Sequence, residues 1–241
     1  MEGHVMRGMR RSTIAAMLIV LGAVFYLAPQ GFALNTKPMN VSDLVRESSQ
    51  IVVGAVSAVR QGIGDNHLPY TEIELKVSES ILGTSGTTLT FRQFGLSSPL
   101  PAVNGRRYIG LVAGMPQYKV GEHVVLFLGK TSPIGYRTTI GLGQGKFALR
   151  GGNLQNEVNN AGLFQNLVFG KKQRLDDKEK SLVATSVGAV GSETFLGFVR
   201  RAVHEKWWPA PTPTIKKLTP SVPPSSTLPP SPTAVRGSGH E

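Results

Sequence analysis

The chain has 241 residues, the length of one ordinary domain or of a domain with appendages. Its 28 Gly and 16 Pro amount to about 18% of the residues, against roughly 12% in average usage, so part of the chain is expected to stay out of any packed core. There is no Cys, which excludes disulfides, thiolate metal ligation and a thiol nucleophile, and 26 Lys and Arg against 15 Asp and Glu give a formal charge of +11.

The N-terminus reads as an export signal. Arg7, Arg10 and Arg11 precede the apolar run Ile14–Ala28, Pro29 breaks it, and Gly31-Phe32-Ala33 sets small residues before a cut at Leu34. The run is shorter than the ~20 residues that cross a bilayer as a helix, and the alternative is an uncleaved N-terminal membrane anchor. Removal of residues 1–33 takes away three Arg and Glu2, leaving 23 basic and 14 acidic residues, a charge of +9. A basic exported protein attracts anionic lipids, envelope polysaccharides or acidic proteins, and nucleic acid is not an expected partner.

From Asn40 onward the pattern predicts strands, after one short helix over Asn40–Glu47 with Asn40 or Ser42 as its cap. Ile51–Val59 has strand composition, with a bend or bulge expected at Gly54. Thr71, Ile73, Leu75 and Val77 alternate with Tyr70, Glu72, Glu74, Lys76 and Ser78, the period of a half-buried strand. Thr88–Phe94 follows after a Gly-rich turn, making 70–94 a long antiparallel hairpin. Tyr108–Ala113 is a candidate short edge strand. Val124–Leu128 is the most apolar run after the signal and is expected to be the central, most buried strand. Tyr136–Ile140 and Lys146–Arg150 complete about six strands, joined by Gly141-Leu-Gly-Gln-Gly145, which reads as a tight hairpin.

Leu163–Phe169 is a candidate further strand, and the mixed charges of Lys171–Lys180 suggest a solvated loop. Ser192–Lys206 predicts a helix whose apolar face is Phe195, Phe198, Val199, Ala202 and Val203. Trp207 and Trp208 either pack this helix end onto the strands or touch a membrane interface. Residues 209–233 hold nine prolines in 25, a disordered or polyproline-like composition. The expected organisation is a signal peptide (1–33), a β-barrel domain (34–170), a charged linker (171–191), a C-terminal helix (192–208) and a disordered Pro-rich tail (209–241). The fold class is all-β: a small OB-like antiparallel barrel or sandwich flanked by a short N-terminal and a C-terminal helix.

Motifs for chemistry are sparse. His4, His67, His123, His204 and His240 stand at no metal-ligand spacing, and His123 is expected on the rim of its strand. No nucleophile elbow occurs. Gly141–Lys146 departs from a phosphate loop at Ile140 and Phe147. Glu72 and Glu74 share a strand face and could hold a carboxylate pair for hydrolysis, although an exposed, salt-bridged face is the plainer reading. No metal or cofactor is expected.

Three stretches carry a resemblance: Ser49–Val56 with its G-x-V, Tyr70–Gly83 ending in V-x-x-x-x-L-G, and Tyr118–Leu128 with V-G-x-x-x-x-x-F-L. Together they resemble the netrin-like module, the family that includes the tissue inhibitors of metalloproteinases, and exported bacterial proteins of similar layout. The resemblance covers about 42–150 and implies an OB-type barrel and, as a second function, a partner or inhibitor of a secreted metalloprotease. Those inhibitors chelate metal through an N-terminal Cys, which this chain lacks; a cut before Leu34 leaves only the Leu34 amine for that role.

The sequence therefore predicts an exported, non-enzymatic module that binds a protein or an anionic envelope component through its loops. Leu34, Asn104, Arg106, Arg107, Gln144 and Lys146 are the candidate contact residues. A metalloprotease inhibitor and a hydrolase using Glu72 and Glu74 are the alternatives.

Overall fold

A computed structural model describes residues 37–84, 86–100, 110, 112–171 and 173–208. The expected signal, half of the candidate edge strand Tyr108–Ala113 and the Pro-rich tail lie outside these residues, as do Leu34, Asn104, Arg106 and Arg107. Among the described residues no helix is long and apolar enough to cross a membrane.

Among the described residues the architecture is a single antiparallel sheet of seven strands with three helices. In chain order these are α1 (Val41–Glu47), β1 (Gln50–Ile63), β2 (Pro69–Leu82), β3 (Thr88–Phe94), β4 (His123–Leu128), β5 (Lys146–Arg150), β6 (Asn153–Asn156), α2 (Asp177–Val183), β7 (Val190–Gly191) and α3 (Ser192–His204). The order across the sheet is β3-β2-β1-β4-β5-β6-β7, with β3 and β7 as its edge strands.

Chain entry into the sheet is set by a cap. The Asn40 side chain accepts the Asp43 amide at 3.0 Å, satisfying a free N–H of the first turn, and α1 lays Val41, Leu44 and Val45 against the sheet. The long β1–β2 hairpin follows, with register shifts between Val53 and Gly54 and between Val56 and Ala58, which increase its twist. The first half of β1 also pairs with β4, Gln50 opposite Leu128 through Ala55 opposite His123.

Segment 136–140, expected as a strand, is reduced to bridges that tie the edge strand β3 to β4. Tyr136 forms a parallel bridge with Arg92 and Thr139 an antiparallel bridge with Leu128. The Arg137 amide donates to the Arg92 carbonyl at 2.7 Å and the Ile140 amide to the Phe127 carbonyl at 2.7 Å. β1, β2, β3, this segment and β4 thus form a ring around Val52, Val56, Ile73, Leu75, Phe91, Tyr118, Val124, Leu126 and Leu128.

A second core lies on the other face. Val125 and Phe127 of β4 point there, with Ile51, Phe147, Leu154 and the apolar face of α3. Aromatic contacts run through it, from Phe127–Phe147 (5.6 Å) and Phe147–Phe195 (5.1 Å) to Phe198–Trp207 (5.4 Å). A bidentate pair fixes α3 to β2, Arg200 reaching the Glu79 carboxylate at 2.6 and 2.7 Å.

Several local expectations change. Gly141–Gly145 makes a 3₁₀ turn over Leu142–Gly145 in place of a hairpin, entered through positive φ at Gly141 (64°) and Leu142 (56°). Leu163–Phe169 is irregular, because Asn159, Asn160 and Asn166 take left-handed φ near it; Leu163 and Phe164 still enter the second core. Residues 171–191, expected as a linker, carry α2 and β7. The Asp176 side chain and the Glu179 side chain cap each other's amides at 2.8 and 3.0 Å, and Arg201 of α3 holds Glu179 at 2.7 Å.

Two variants test this description. A Cβ at Gly54 would lie 2.5 Å from the Lys76 carbonyl oxygen on the paired strand, so Gly54→Ala is expected to cost about 1–3 kcal/mol in denaturant unfolding. The Tyr118 hydroxyl is buried without a hydrogen-bond partner among the described residues, so Tyr118→Phe is expected to hold or raise stability by about 1 kcal/mol in the same assay.

Candidate functional site

Two of the sequence-chosen contact residues are described, and both are buried. Gln144 sits inside the fold as a clamp: its side-chain oxygen accepts the Met39 amide at 2.8 Å and its amide donates to the Lys37 carbonyl at 3.1 Å. It fastens the entry segment to the 3₁₀ turn and is not presented on a loop tip.

Lys146 opens β5, and the period of the strand places Ala148 and Arg150 on the same face. Arg150-Gly151-Gly152-Asn153 is a two-residue hairpin, with φ of 53° and 77° at the glycines, the left-handed pair that a type I′ turn requires. Its register sets Gln155 opposite Ala148 and Asn153 opposite Arg150. Gln117, Lys119 and Glu122 from the loop before β4, and Glu157 just after β6, complete the walls of a cleft of about 400 Å³.

The floor of this cleft is an ion triad. The Lys146 ammonium lies 2.9 Å from Glu122 and 3.8 Å from Glu157, with only 6% of its side chain exposed, against 14% and 35% for the two carboxylates. It also stands 5.2 Å from the centre of the Tyr118 ring. Each carboxylate takes a backbone donor as well: Glu157 Oε1 accepts the Gln117 amide at 3.1 Å, and Glu122 Oε2 the Lys119 amide at 3.3 Å. Gly143 makes room for Glu157, since a Cβ there would be 2.6 Å from Oε2.

Partial burial pushes the Glu157 carboxyl above the ordinary range, opposed by the Gln117 amide and Lys146 and aided by Glu122. Burial, then the two carboxylates, likewise pushes the Tyr118 phenol up. At the rim, Lys119 and Arg150 are exposed and form no ion pair among the described residues.

The other candidate, Glu72 and Glu74, lies on the outer face of the β1–β2–β3 ladder. Glu72 is bound by Arg92 at 2.7 Å and faces Arg60 at 3.7 Å; Glu74 is bound by Arg60 at 3.3 Å and by the Ser57 hydroxyl at 2.8 Å. The Ser57 and Arg60 hydrogen bonds hold Glu74 below the ordinary carboxylate range, the opposite of a general acid's requirement. The ion-pair partners are arginines from neighbouring strands and not Lys76. His123 is exposed at the start of β4.

Sequence reasoning found Lys146 and missed Glu122, Glu157, Lys119 and Arg150. The Gly151-Gly152 pair was the available signal: read as a hairpin, it puts Lys146, Ala148 and Arg150 beside Asn153 and Gln155 on one face. Comparison with protein-family models, with curated proteins and with solved structures finds no match.

Breaking the triad has a defined consequence. Lys146→Met leaves two carboxylates without their shared cation and is expected to lower unfolding free energy by about 3 kcal/mol. Adding Glu122→Gln should recover a large part of that loss, read as a positive coupling in a double-mutant cycle.

Proposed function

We propose that the chain is an exported binding module of OB-type, whose ligand is an acidic component of the cell envelope received in the cleft over Lys146. The observation that carries this reading is the pair Lys119 and Arg150, two exposed cations on one cleft without carboxylate partners among the described residues. Around them stand Gln117, Asn153 and Gln155, side chains that both donate and accept hydrogen bonds, as a hydroxyl-rich ligand requires. The cleft volume of about 400 Å³ falls within the range of small-ligand sites and suits one sugar-sized unit of a polymer. The basic charge of the chain and the signal-like residues 1–33 support an envelope address.

The ring formed by β1, β2, β3, segment 136–140 and β4 supports the OB-type, netrin-like reading of the sequence motifs. The metalloprotease-inhibitor alternative depends on Leu34, outside the described residues. The hydrolase alternative needs a free carboxylate pair, and Glu72 and Glu74 are both committed to arginines.

The test is calorimetric titration of the full chain with trigalacturonate, an acidic oligosaccharide, and with a neutral oligosaccharide of equal length. Binding of the acidic probe alone is expected, weakening with salt. Lys119→Glu with Arg150→Glu should reduce the affinity at least about tenfold, a loss of about 1.4 kcal/mol. Unchanged binding by this double variant would remove the cleft from the function.

A further inference from the structure

We infer that seating an acidic group in this cleft is coupled to uptake of one proton by Glu157. The inference rests on the binding reading above and concerns how the same site is regulated.

The argument begins with the charges. One ammonium, Lys146, serves two carboxylates, so the floor carries one uncompensated negative charge when both are ionised. Glu122 is the nearer partner, at 2.9 Å against 3.8 Å, and alone can balance Lys146. Glu157 is the remainder, and a carboxylate or phosphate drawn in by Lys119 and Arg150 would add a second negative charge beside it.

The surroundings of Glu157 favour relief by protonation. Its Oε1 accepts the Gln117 amide, and its Oε2 lies over Gly143, with no donor reaching it among the described residues. The charged or titratable groups acting on it are Lys146 from β5 and Glu122 and Tyr118 from the loop before β4, and Lys119 and Arg150 line the same cleft. His123 follows Glu122 and is exposed. Of these, only Glu122 brings further negative charge, and the Tyr118 phenol is kept neutral by its burial. A proton from solvent placed on Oε2 leaves Oε1 with its amide bond and leaves the Lys146–Glu122 pair intact. Burial already holds Glu157 above the ordinary carboxylate range, so the cost of protonation is reduced before the ligand arrives.

The sign follows from linkage. With Glu157 protonated in free and bound states alike, at low pH, affinity for an acidic ligand is at its highest. Between the free-state and the higher bound-state pKa, affinity falls by up to about tenfold per pH unit, and then levels off.

The experiment is calorimetric titration of the full chain at mildly acidic pH in two buffers of different ionisation enthalpy. The probes are trigalacturonate and a glycerol phosphate oligomer, which separate a carboxylate ligand from a phosphate one. Wild type is expected to take up a substantial fraction of one proton per probe bound. Glu157→Gln, which keeps an oxygen for the Gln117 amide, is expected to bind without that uptake and with a flattened pH dependence; His123→Ala should keep both. Binding without proton uptake, or uptake unchanged in Glu157→Gln, overturns the coupling and leaves the binding reading standing. No binding of either probe at millimolar concentration overturns both. A carboxyl titration of Glu157 followed by NMR gives a second readout: its midpoint should rise when the probe is added, and a fixed midpoint overturns the proposal.

Discussion

β4 buries five consecutive apolar side chains, Val124 to Leu128, and none of them reaches solvent. A strand alternates its side chains between two faces, so a run apolar at every position can be satisfied only by two separate cores. Val124, Leu126 and Leu128 meet the ring interior; Val125 and Phe127 meet the layer beneath α3. The partners of β4 follow from this demand: β1 on one side, the β5–β6 hairpin on the other, and α1 and α3 covering the second face.

The same constraint explains the position of the cleft. β5 leaves β4 after three paired residues, at Ala148, and carries its hairpin past the ring. The face that would line the ring interior is there lined by Lys146, Ala148 and Arg150, polar where β4 is apolar. The loop 117–122 returns over this face to enter β4 and brings Glu122 onto Lys146. The ion triad is therefore where an apolar interior ends and a polar continuation of the same surface begins. Such a boundary can hold a buried ammonium, because hydrogen-bonded carboxylates replace the water it loses.

The legible parts of the fold were those with strong period or composition. Alternation at Thr71, Ile73 and Leu75 gave β2, the unbroken run gave β4, and the Phe195–Ala202 stripe gave α3. β6 was not legible by hydrophobicity, since Asn153-Leu-Gln-Asn156 holds one apolar residue; it exists through pairing with β5 and through Asn156 and Asn160, whose side chains bind backbone groups nearby. α2 was concealed by its charges, although Asp176 and Glu179 stand at the spacing of a reciprocal cap. The site was legible only at Lys146. Glu122 and Glu157 belong to different turns of the chain, and nothing local to either announces a shared cation.

The chain has two tryptophans, and both stand at the end of α3, in ring contact with Phe169 and Phe198. The ring core holds none; its aromatic residues are Phe91 and Tyr118. Of the two cores on either side of β4, one thus carries indole rings and the other does not. Indole emission reports the layer that α3 seals and is silent on the ring beside the ion triad. Loosening of that layer ahead of the sheet would be visible as an emission change preceding the loss of strand signal, with no label introduced.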